Sequence, residues 1–205
     1  KGGGALTRVV PIGLLYAGDS KTAFNAGVRA AAFSHSTPVA YYAAGAVSAL
    51  IACLADGMTL PKAIERIHGL LNKTHRTDSI TTLLSAAQQQ ANDQPAGKGN
   101  VWAYIDSIHS LGSGDQADEA LAIAVYAALA VDDPVDAIIA AANHNGNSPI
   151  TAALTGAVTP AGYNIPETPE QIAADAYEVW KLGAAVVHLH MRDDQGLGVM
   201  DKERF

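Results

Sequence analysis

Apolar residues recur at helical spacing through most of the first 142 residues, and short polar or glycine-containing turns separate the apolar stretches. After a loop that enters a short helix within residues 5–16, this pattern predicts longer helices. Their predicted ranges are 20–34, 38–54, 60–72, 78–91, 101–110, 116–130 and 134–142. Thr37-Pro38 is typical of a helix start, because proline is favoured at the first helical position after a capping residue. Asp19 or Ser20 is expected to cap the helix before it.

The pattern changes after residue 142. Asn143 to Ser148 is a cluster of small polar residues around Gly146, which predicts a turn. Ile150 to Leu154 then predicts a strand, Thr168 to Gln171 has the form of a capping box that opens a helix, and the valine-rich run Ala184 to Leu189 predicts a buried parallel strand. These three elements would form a right-handed βαβ unit. Such a unit has open edges, so we expect it to pair with another copy and form a homo-oligomer.

Composition limits the possible partners and compartment. The 205 residues include 20 acidic and 13 basic side chains, so we expect no attraction to nucleic acid or to an anionic membrane surface. Cys53 is the only cysteine, which favours a reducing compartment such as the cytoplasm. The apolar stretch Ala40 to Leu54 is too short for a membrane span and is expected to be a buried helix. The opening Lys1-Gly2-Gly3-Gly4 has neither a Met nor a signal pattern, which suggests a start within a longer chain.

His188 and His190 are the most specific chemical signal in the sequence. Residues two apart on a strand face the same side, and the carboxyl end of a parallel strand is where such folds place their sites. Two imidazoles suit zinc, with at least one further protein ligand required. Arg192 and Asp193 could serve as an anion clamp and a partner for a ligating histidine. The alternative is two structural histidines at a strand end.

The second segment resembles the amino-terminal part of the β-keto acid cleavage enzymes, which are zinc-dependent (β/α)8 barrels that act on a β-keto acid and acetyl-CoA. The resemblance covers residues 149–205 and rests on Ile150-Thr-Ala-Ala-Leu-Thr-Gly156, Thr168-Pro-Glu-Gln-Ile-Ala173 and Gly183-Ala-Ala-Val-Val-His-Leu-His-Met-Arg-Asp193. It implies that His188 and His190 are zinc ligands. The family's third ligand, a glutamate, and its catalytic arginine and aspartate come from later strands.

The first segment, residues 1–148, resembles the carboxyl-terminal half or more of the ADP-ribosylglycohydrolases. The matching residues are Gly4-Ala-Leu-Thr-Arg-Val-Val-Pro11, Ser34-His-Ser-Thr-Pro38, Leu111-Gly-Ser-Gly114, Glu119-Ala-Leu-Ala-Ile-Ala124 and Asn143-His-Asn-Gly-Asn-Ser148. This resemblance implies an all-helical orthogonal bundle that holds two magnesium or manganese ions beside ADP-ribose. It also implies that Arg8, His35, Gly112, Gly114 and His144 border the substrate.

The metal ligands of this family are largely replaced. One of its metal motifs, Thr-Asp-Asp, would lie before Lys1, and the other contains aspartates at the positions of Asn145, Asn147 and Pro149. Hard divalent cations prefer anionic oxygen ligands, so the resemblance predicts an incomplete di-metal site. The acids Asp115, Asp118 and Glu119 lie at a predicted helix amino terminus, where the helix dipole favours them.

Three hypotheses follow for this mostly α chain, in which a helical bundle precedes a βαβ unit like the start of a TIM barrel. The first is an ADP-ribosylglycohydrolase that cleaves ADP-ribosyl N- or O-glycosidic bonds, with little or no activity. The second is zinc-dependent β-keto acid cleavage by the second segment. The third is a hybrid or fragment that folds without turnover. The expected ligand is accordingly ADP-ribose-like, or a β-keto acid with CoA.

Overall fold

The computed structural model describes residues 2–93, 104–159, 168–181, 191–192 and 198–199. It divides the chain into two compact units, Lys1–Gly162 and Tyr163–Phe205. The predicted segment boundary at residues 148 and 149 falls in the first turn of a helix of the first unit.

The first unit is mostly helical in its described residues, with turns between the helices and one isolated β-bridge between Gly2 and Gln116. Two short 3-10 turns, Gly3–Ala5 and Thr7–Val9, precede nine helices: α1 (Val10–Leu15), α2 (Ser20–Ala32), α3 (Pro38–Ala55), α4 (Leu60–Leu71), α5 (Asp78–Asp93), α6 (Ile105–Leu111), α7 (Ala117–Ala130), α8 (Pro134–Ala142) and α9 (Ser148–Val158). The first eight helices confirm the predicted helical pattern. Asp19 caps α2 as predicted, because its carboxylate accepts a hydrogen bond of 3.0 Å from the backbone amide of Thr22.

Helices α3 and α7 form the centre of the core, and most of their residues are buried. Glycine allows α2 and α3 to approach closely: a Cβ on Gly45 would lie 2.6 Å from Cγ2 of Val28 and 2.9 Å from the carbonyl oxygen of Phe24. The Ser48 hydroxyl of α3 also donates to the carbonyl of Val9 at 3.1 Å, which fixes the turn before α1.

Helix α3 is also long and apolar enough to cross a membrane by length and composition, but 67% of its 18-residue window is buried inside the first unit. This agrees with the expectation of a buried helix, since a core helix has the same composition.

The predicted strand at Ile150 to Leu154 is wrong, because these residues lie in α9. The buried positions Thr151, Leu154, Thr155 and Val158 share one helical face, which packs on α7 and α8. The threonines fit a helix because their hydroxyls bond back to carbonyls four residues earlier, as in the 2.8 Å bond from Thr155 to the Thr151 carbonyl. A short apolar run suits both a strand and a buried helix, and packing decides here.

The second unit contains α10 (Pro169–Lys181) and two short antiparallel strands, β1 (Met191–Arg192) and β2 (Gly198–Val199). The predicted capping box is confirmed: the Gln171 amide donates to the Thr168 hydroxyl at 3.3 Å, and the Thr168 amide donates to the Gln171 side chain at 3.1 Å. The predicted strand Ala184 to Leu189 lies outside the described residues. Because its first strand is a helix, the predicted βαβ unit is not found, and pairing through its edges stays a prediction.

Candidate functional site

Arg8 and His35 are brought together by Ser34. The guanidinium of Arg8 donates to the Ser34 hydroxyl, and that hydroxyl lies 2.9 Å from Nδ1 of His35. The same hydroxyl also lies 3.4 Å from the Ala31 carbonyl, so it has two acceptors within reach and these contacts do not fix the tautomer of His35. We call Arg8, Ser34 and His35 the arginine cluster. Arg8 and Ser34 are exposed, and no carboxylate pairs with Arg8 among the described residues.

Gly112 and Gly114 lie in a tight loop, residues 112–114, which we call the glycine loop. Their φ angles of 126° and 77° are in the region that favours glycine. The loop folds around Glu119 of α7: one carboxylate oxygen accepts from the amides of Ser113 and Gly114 at 3.2 and 3.1 Å. The other oxygen accepts from the Gln116 side chain at 3.3 Å. Glu119 therefore holds the loop in shape.

The turn at residues 143–147 is locked to the glycine loop through the backbone. The amide of Asn147 donates to the Ser113 carbonyl at 2.8 Å. Gly146 lies so close that a Cβ there would collide with the Ser113 carbonyl oxygen and lie 2.7 Å from Cε1 of His144. Asn145 adopts a left-handed conformation with φ 59° and is exposed. The two loops therefore act as one rigid element.

His144 lies beneath these loops, with 2% of its surface exposed. Its Nε2 lies 2.9 Å from the Thr151 hydroxyl, which donates to the Ala141 carbonyl at 2.7 Å. Nε2 therefore carries the hydrogen, and the buried Nδ1 has no hydrogen-bond partner. Burial, and secondly the charge of nearby His109, lower the pKa of His144 below 6.5. Direct substrate contact by His144 stays a prediction, since its side chain is buried.

The backbone of residues 2–4 connects the arginine cluster and the glycine loop. Gly2 forms a β-bridge with Gln116, next to the glycine loop. A Cβ on Gly4 would lie 3.9 Å from Nε2 of His35. Because even extended chain spans no more than about 3.6 Å per residue and Gly3 begins a 3-10 turn, the Cα atoms of Gly2 and Gly4 lie at most about 7 Å apart. Residues 2–4 therefore contact the arginine cluster at one end and approach the glycine loop at the other, although Gly114 itself is buried. Substrate contact by Arg8, His35, Gly112 and Gly114 stays a prediction.

The residues of this region do not fit a di-metal centre. The described residues contain no group of three or more His, Cys, Asp or Glu side chains that could hold a metal ion. The turn beside the glycine loop offers the amides Asn145 and Asn147, and Pro149 offers no side-chain ligand. Hard cations favour carboxylates, so these residues are poor replacements. The predicted zinc ligands His188 and His190 lie outside the described residues.

Three polar residues of the site were not predicted. Ser34 and Ser113 appear in sequence only as parts of motifs, and their contacts depend on chain segments that are distant in sequence. Glu119 was explained by the helix dipole alone. Its position as the third residue of α7, five residues after the Gly-Ser-Gly turn ends, is the signal that could have identified it, because an acid there commonly reaches back to free amides.

The fold and the site define an all-helical unit with a polar region built from loops between its helices. A family model described as ADP-ribosylglycohydrolase matches residues 1–195. The chain therefore belongs to the ADP-ribosylglycohydrolase family. The match extends beyond the predicted limit at residue 148 and includes α9, which packs on α7 and α8.

A part of the chain is also similar to a second group of enzymes. It is 47% identical over 58 residues to the 3-keto-5-aminohexanoate cleavage enzyme of Fusobacterium nucleatum subsp. nucleatum, covering 27% of this chain and 21% of the relative. The enzyme of that name from Acetoanaerobium sticklandii is 43% identical over 58 residues, with the same shares covered. The 3-dehydrocarnitine:acetyl-CoA trimethylamine transferase of Rhizobium meliloti is 50% identical over 48 residues, or 22% of this chain and 16% of the relative.

The chain spans about a fifth of the length of the first two of these curated relatives. No solved structure matches the chain.

Proposed function

We propose that the first unit binds an ADP-ribose-type ligand across the arginine cluster and the glycine loop, with little or no hydrolysis of ADP-ribosyl bonds. The observation that carries this proposal is the rigid pair of loops around Gly146. The two loops are joined by the Asn147 amide–Ser113 carbonyl hydrogen bond and by the close approach of Gly146. Amides and a proline stand at the positions where the family has metal-binding acids. Such a site keeps the shape that recognises a ligand and lacks the charge that activates water.

The polar groups of the region support recognition of this ligand class. Ser113 and Asp115 are exposed beside the glycine loop and can bond to sugar hydroxyls. Arg8 supplies a fork of N–H donors that suits phosphate oxygens. Backbone amides of the loops are tied to protein acceptors, so the loops do not need to reorganise on binding, which reduces the entropic cost of association.

Calorimetric titration of the 205-residue chain with ADP-ribose tests binding, and release of ADP-ribose from an ADP-ribosylated peptide tests hydrolysis. We expect saturable binding, with no release above background in the presence of magnesium or manganese. Release at the rate of an active family member would contradict the proposed loss of turnover. Absence of binding would contradict the proposed function itself.

Restoring acids provides a second measurement. The triple variant Asn145→Asp, Asn147→Asp and Pro149→Asp is expected to make ADP-ribose affinity depend on magnesium or manganese, because carboxylates attract these ions. Asn25→Asp is the matched control, since Asn25 is exposed on α2, away from the loops. An identical cation dependence in the triple variant and the control would show that the turn is not a metal position.

A second candidate function is metal binding that leads to β-keto acid cleavage, favoured by the 47% identity to a curated cleavage enzyme. In this proposal His188 and His190 hold zinc and the substrate is a β-keto acid with acetyl-CoA. Zinc content of the purified chain and of the His188→Ala variant tests it. One zinc per chain that is lost in the variant supports the second candidate, whereas equal zinc content in both forms contradicts it.

A further inference from the structure

Charged side chains of the first unit are unevenly distributed along the chain. Every lysine and arginine among its described residues lies within residues 2–93. Residues 104–159 contain neither type, although they include aspartate and glutamate. Helix α2 of the first part packs on α1 and α3, whereas α8 of the second part packs on α7 and α9. Because α3 and α7 form the centre of the core, they separate the exposed face of α2 from the exposed face of α8.

The exposed face of α2 combines cations with a large apolar side chain. Lys21, Asn25, Arg29 and Phe33 are all exposed and follow one another at four-residue intervals, so they form a continuous row along the helix. Phe33, at the end of α2, is 94% exposed. Arg29 makes no hydrogen bond or ion pair within the described part of the chain. We call these four residues the basic stripe.

The exposed face of α8 combines apolar side chains with acids. Val135 and Ile139 lie four residues apart and are 55% and 39% exposed, so they face solvent rather than the core. Asp132 and Asp136 lie on either side of Val135, and neither carboxylate has a partner in the described ranges. Asp133 is different, because its carboxylate caps α8. We call Asp132, Val135, Asp136 and Ile139 the acidic ridge.

The two surfaces are complementary in charge, and each offers apolar side chains for a dry contact. Aromatic and arginine side chains such as those of the basic stripe are enriched in protein interfaces. The core helices keep the stripe and the ridge of one copy apart, so a second copy of this chain is the partner that supplies the missing surface. Because the two surfaces differ, their contact is heterologous and leaves one stripe and one ridge free at the ends of an assembly.

We propose that the first unit self-associates head to tail, with the basic stripe of one copy on the acidic ridge of the next. Phe33 packs against Val135 and Ile139, and Arg29 pairs with the acids beside them. The contact is small compared with the roughly 800 Å² per partner of a stable interface, so the association is weak. It does not depend on the proposed ligand, and it uses side chains rather than the strand edges predicted from the sequence.

The test is sedimentation velocity of the full chain over a series of protein concentrations. At an ionic strength of about 0.05 M the average mass should rise with concentration, and at about 0.5 M it should stay that of one copy, because salt screens the charge pairs. Arg29→Glu and Asp132→Arg should each lower the association constant at least about tenfold, since like charges then meet. Lys73→Glu and Asp93→Arg are the matched controls at exposed positions outside both surfaces, and each should change it less than about twofold.

The apolar part of the contact has its own variant. Phe33→Ser should lower the association constant at least about fivefold, because a buried aromatic anchor is lost from the interface. Leu15→Ser is the matched control, since Leu15 is also a largely exposed apolar residue but lies on α1, outside the basic stripe. An equal loss in both variants would overturn the assignment of Phe33 to the interface.

A mixture of two variants tests the head-to-tail arrangement. Phe33→Ser keeps an intact acidic ridge, and Asp132→Arg keeps an intact basic stripe. One copy of each should therefore form a dimer that does not grow further, although neither variant associates well alone. Absence of this dimer would overturn the arrangement, and so would an unmodified chain that stays a single copy at every concentration. Association that neither salt nor any of these variants weakens would also overturn it, and would favour the predicted pairing of strand edges.

Discussion

Gly146→Ala is the sharpest single test of the locked loops beside the candidate site. Gly146 is partly buried, and its Cα faces the backbone of the glycine loop. An added methyl group would collide with the Ser113 carbonyl oxygen, lie 2.8 Å from the carbonyl carbon, and lie 2.7 Å from Cε1 of His144. Two of these atoms belong to the backbone, so no rotamer change relieves the contact.

The expected cost is the sum of two effects. Forcing a methyl group into a packed region costs about 1–3 kcal/mol through displaced backbone and side chains. Separating the loops also weakens the 2.8 Å hydrogen bond from the Asn147 amide to the Ser113 carbonyl, worth about 0.5–1.5 kcal/mol. We therefore expect Gly146→Ala to lower the free energy of unfolding by about 1.5–4.5 kcal/mol.

Urea unfolding followed by far-ultraviolet circular dichroism measures this change. Gly69→Ala is the matched control, because Gly69 is exposed within α4 and an added Cβ would meet no atom within 4 Å. That control is expected to stabilise the chain by about 0.5–1 kcal/mol, since alanine favours a helix more than glycine does. The two Gly→Ala substitutions are therefore expected to change the free energy of unfolding in opposite directions.

Equal stability of Gly146→Ala and the unmodified chain would refute the locked arrangement of the two loops. A loss in Gly69→Ala of similar size to the loss in Gly146→Ala would have another meaning. It would indicate that the first unit tolerates no added methyl group anywhere, and that the specific contact with Ser113 does not explain the result.

Three further predictions concern the first unit and α10. The lowered pKa of His144 means that the unfolded chain binds a proton below about pH 6.5 while the folded chain resists it. The free energy of unfolding should therefore reach its highest value above that pH and decrease as the pH falls below it. His144→Gln should reduce the slope of the free energy of unfolding against pH, measured by urea titration; an unchanged slope would count against a buried neutral imidazole. Leu50→Ala should cost about 2–5 kcal/mol in the same assay, because Leu50 is 2% exposed in the core, whereas a cost below about 1 kcal/mol would indicate a loosely packed centre. Thr168→Ala should weaken α10 by about 0.5–2 kcal/mol, seen as faster amide exchange at its first turn, and Thr82→Ala on the exposed side of α5 should leave that exchange unchanged.

Most of the helical unit could be predicted because its helices have both periodic apolar residues and clear ends. Thr37-Pro38 and Asp133-Pro134 each mark a start, and the structure begins α3 and α8 at those prolines. These signals are local, so they do not depend on knowing which helices touch. The predicted range of residues 101–110 shows the limit: α6 begins at Ile105, and residues 101–103 lie outside the described part.

The strand prediction at Ile150 failed for a physical reason. Five or six apolar residues after a turn satisfy a strand or a buried helix equally well, and β-branched Ile150 and Thr151 favoured the strand. In the structure Thr151 lies in a helix, where its hydroxyl donates to the Ala141 carbonyl and lies within hydrogen-bonding distance of Nε2 of His144. Such a contact joins two helices and cannot be read from local spacing.

The sequence indicated which residues belong to the candidate site better than it indicated the contacts between them. Resemblance to the family identified Arg8, His35 and the glycines, and their role in substrate binding stays a prediction. The internal carboxylate was not predicted, because an acid in the first turn of α7 is already explained by the helix dipole. In the folded chain, Glu119 accepts hydrogen bonds from the two loop amides, and this contact depends on how the loop packs against α7.

The same loops support the proposal that this chain binds its ligand with little or no hydrolysis. Asn145 keeps the left-handed conformation that asparagine and aspartate both tolerate, and Gly146 keeps the close contact with the Ser113 carbonyl. Replacing a carboxylate by an amide preserves size and hydrogen-bonding geometry but removes a full negative charge. The backbone shape of the turn therefore does not depend on the negative charge that a divalent cation needs. Substitution of the acids can remove cation binding while the ligand-binding surface keeps its shape. We therefore expect the unmodified chain to bind ADP-ribose with the same affinity in the presence and absence of divalent cations. Binding that a chelator weakens would contradict this expectation.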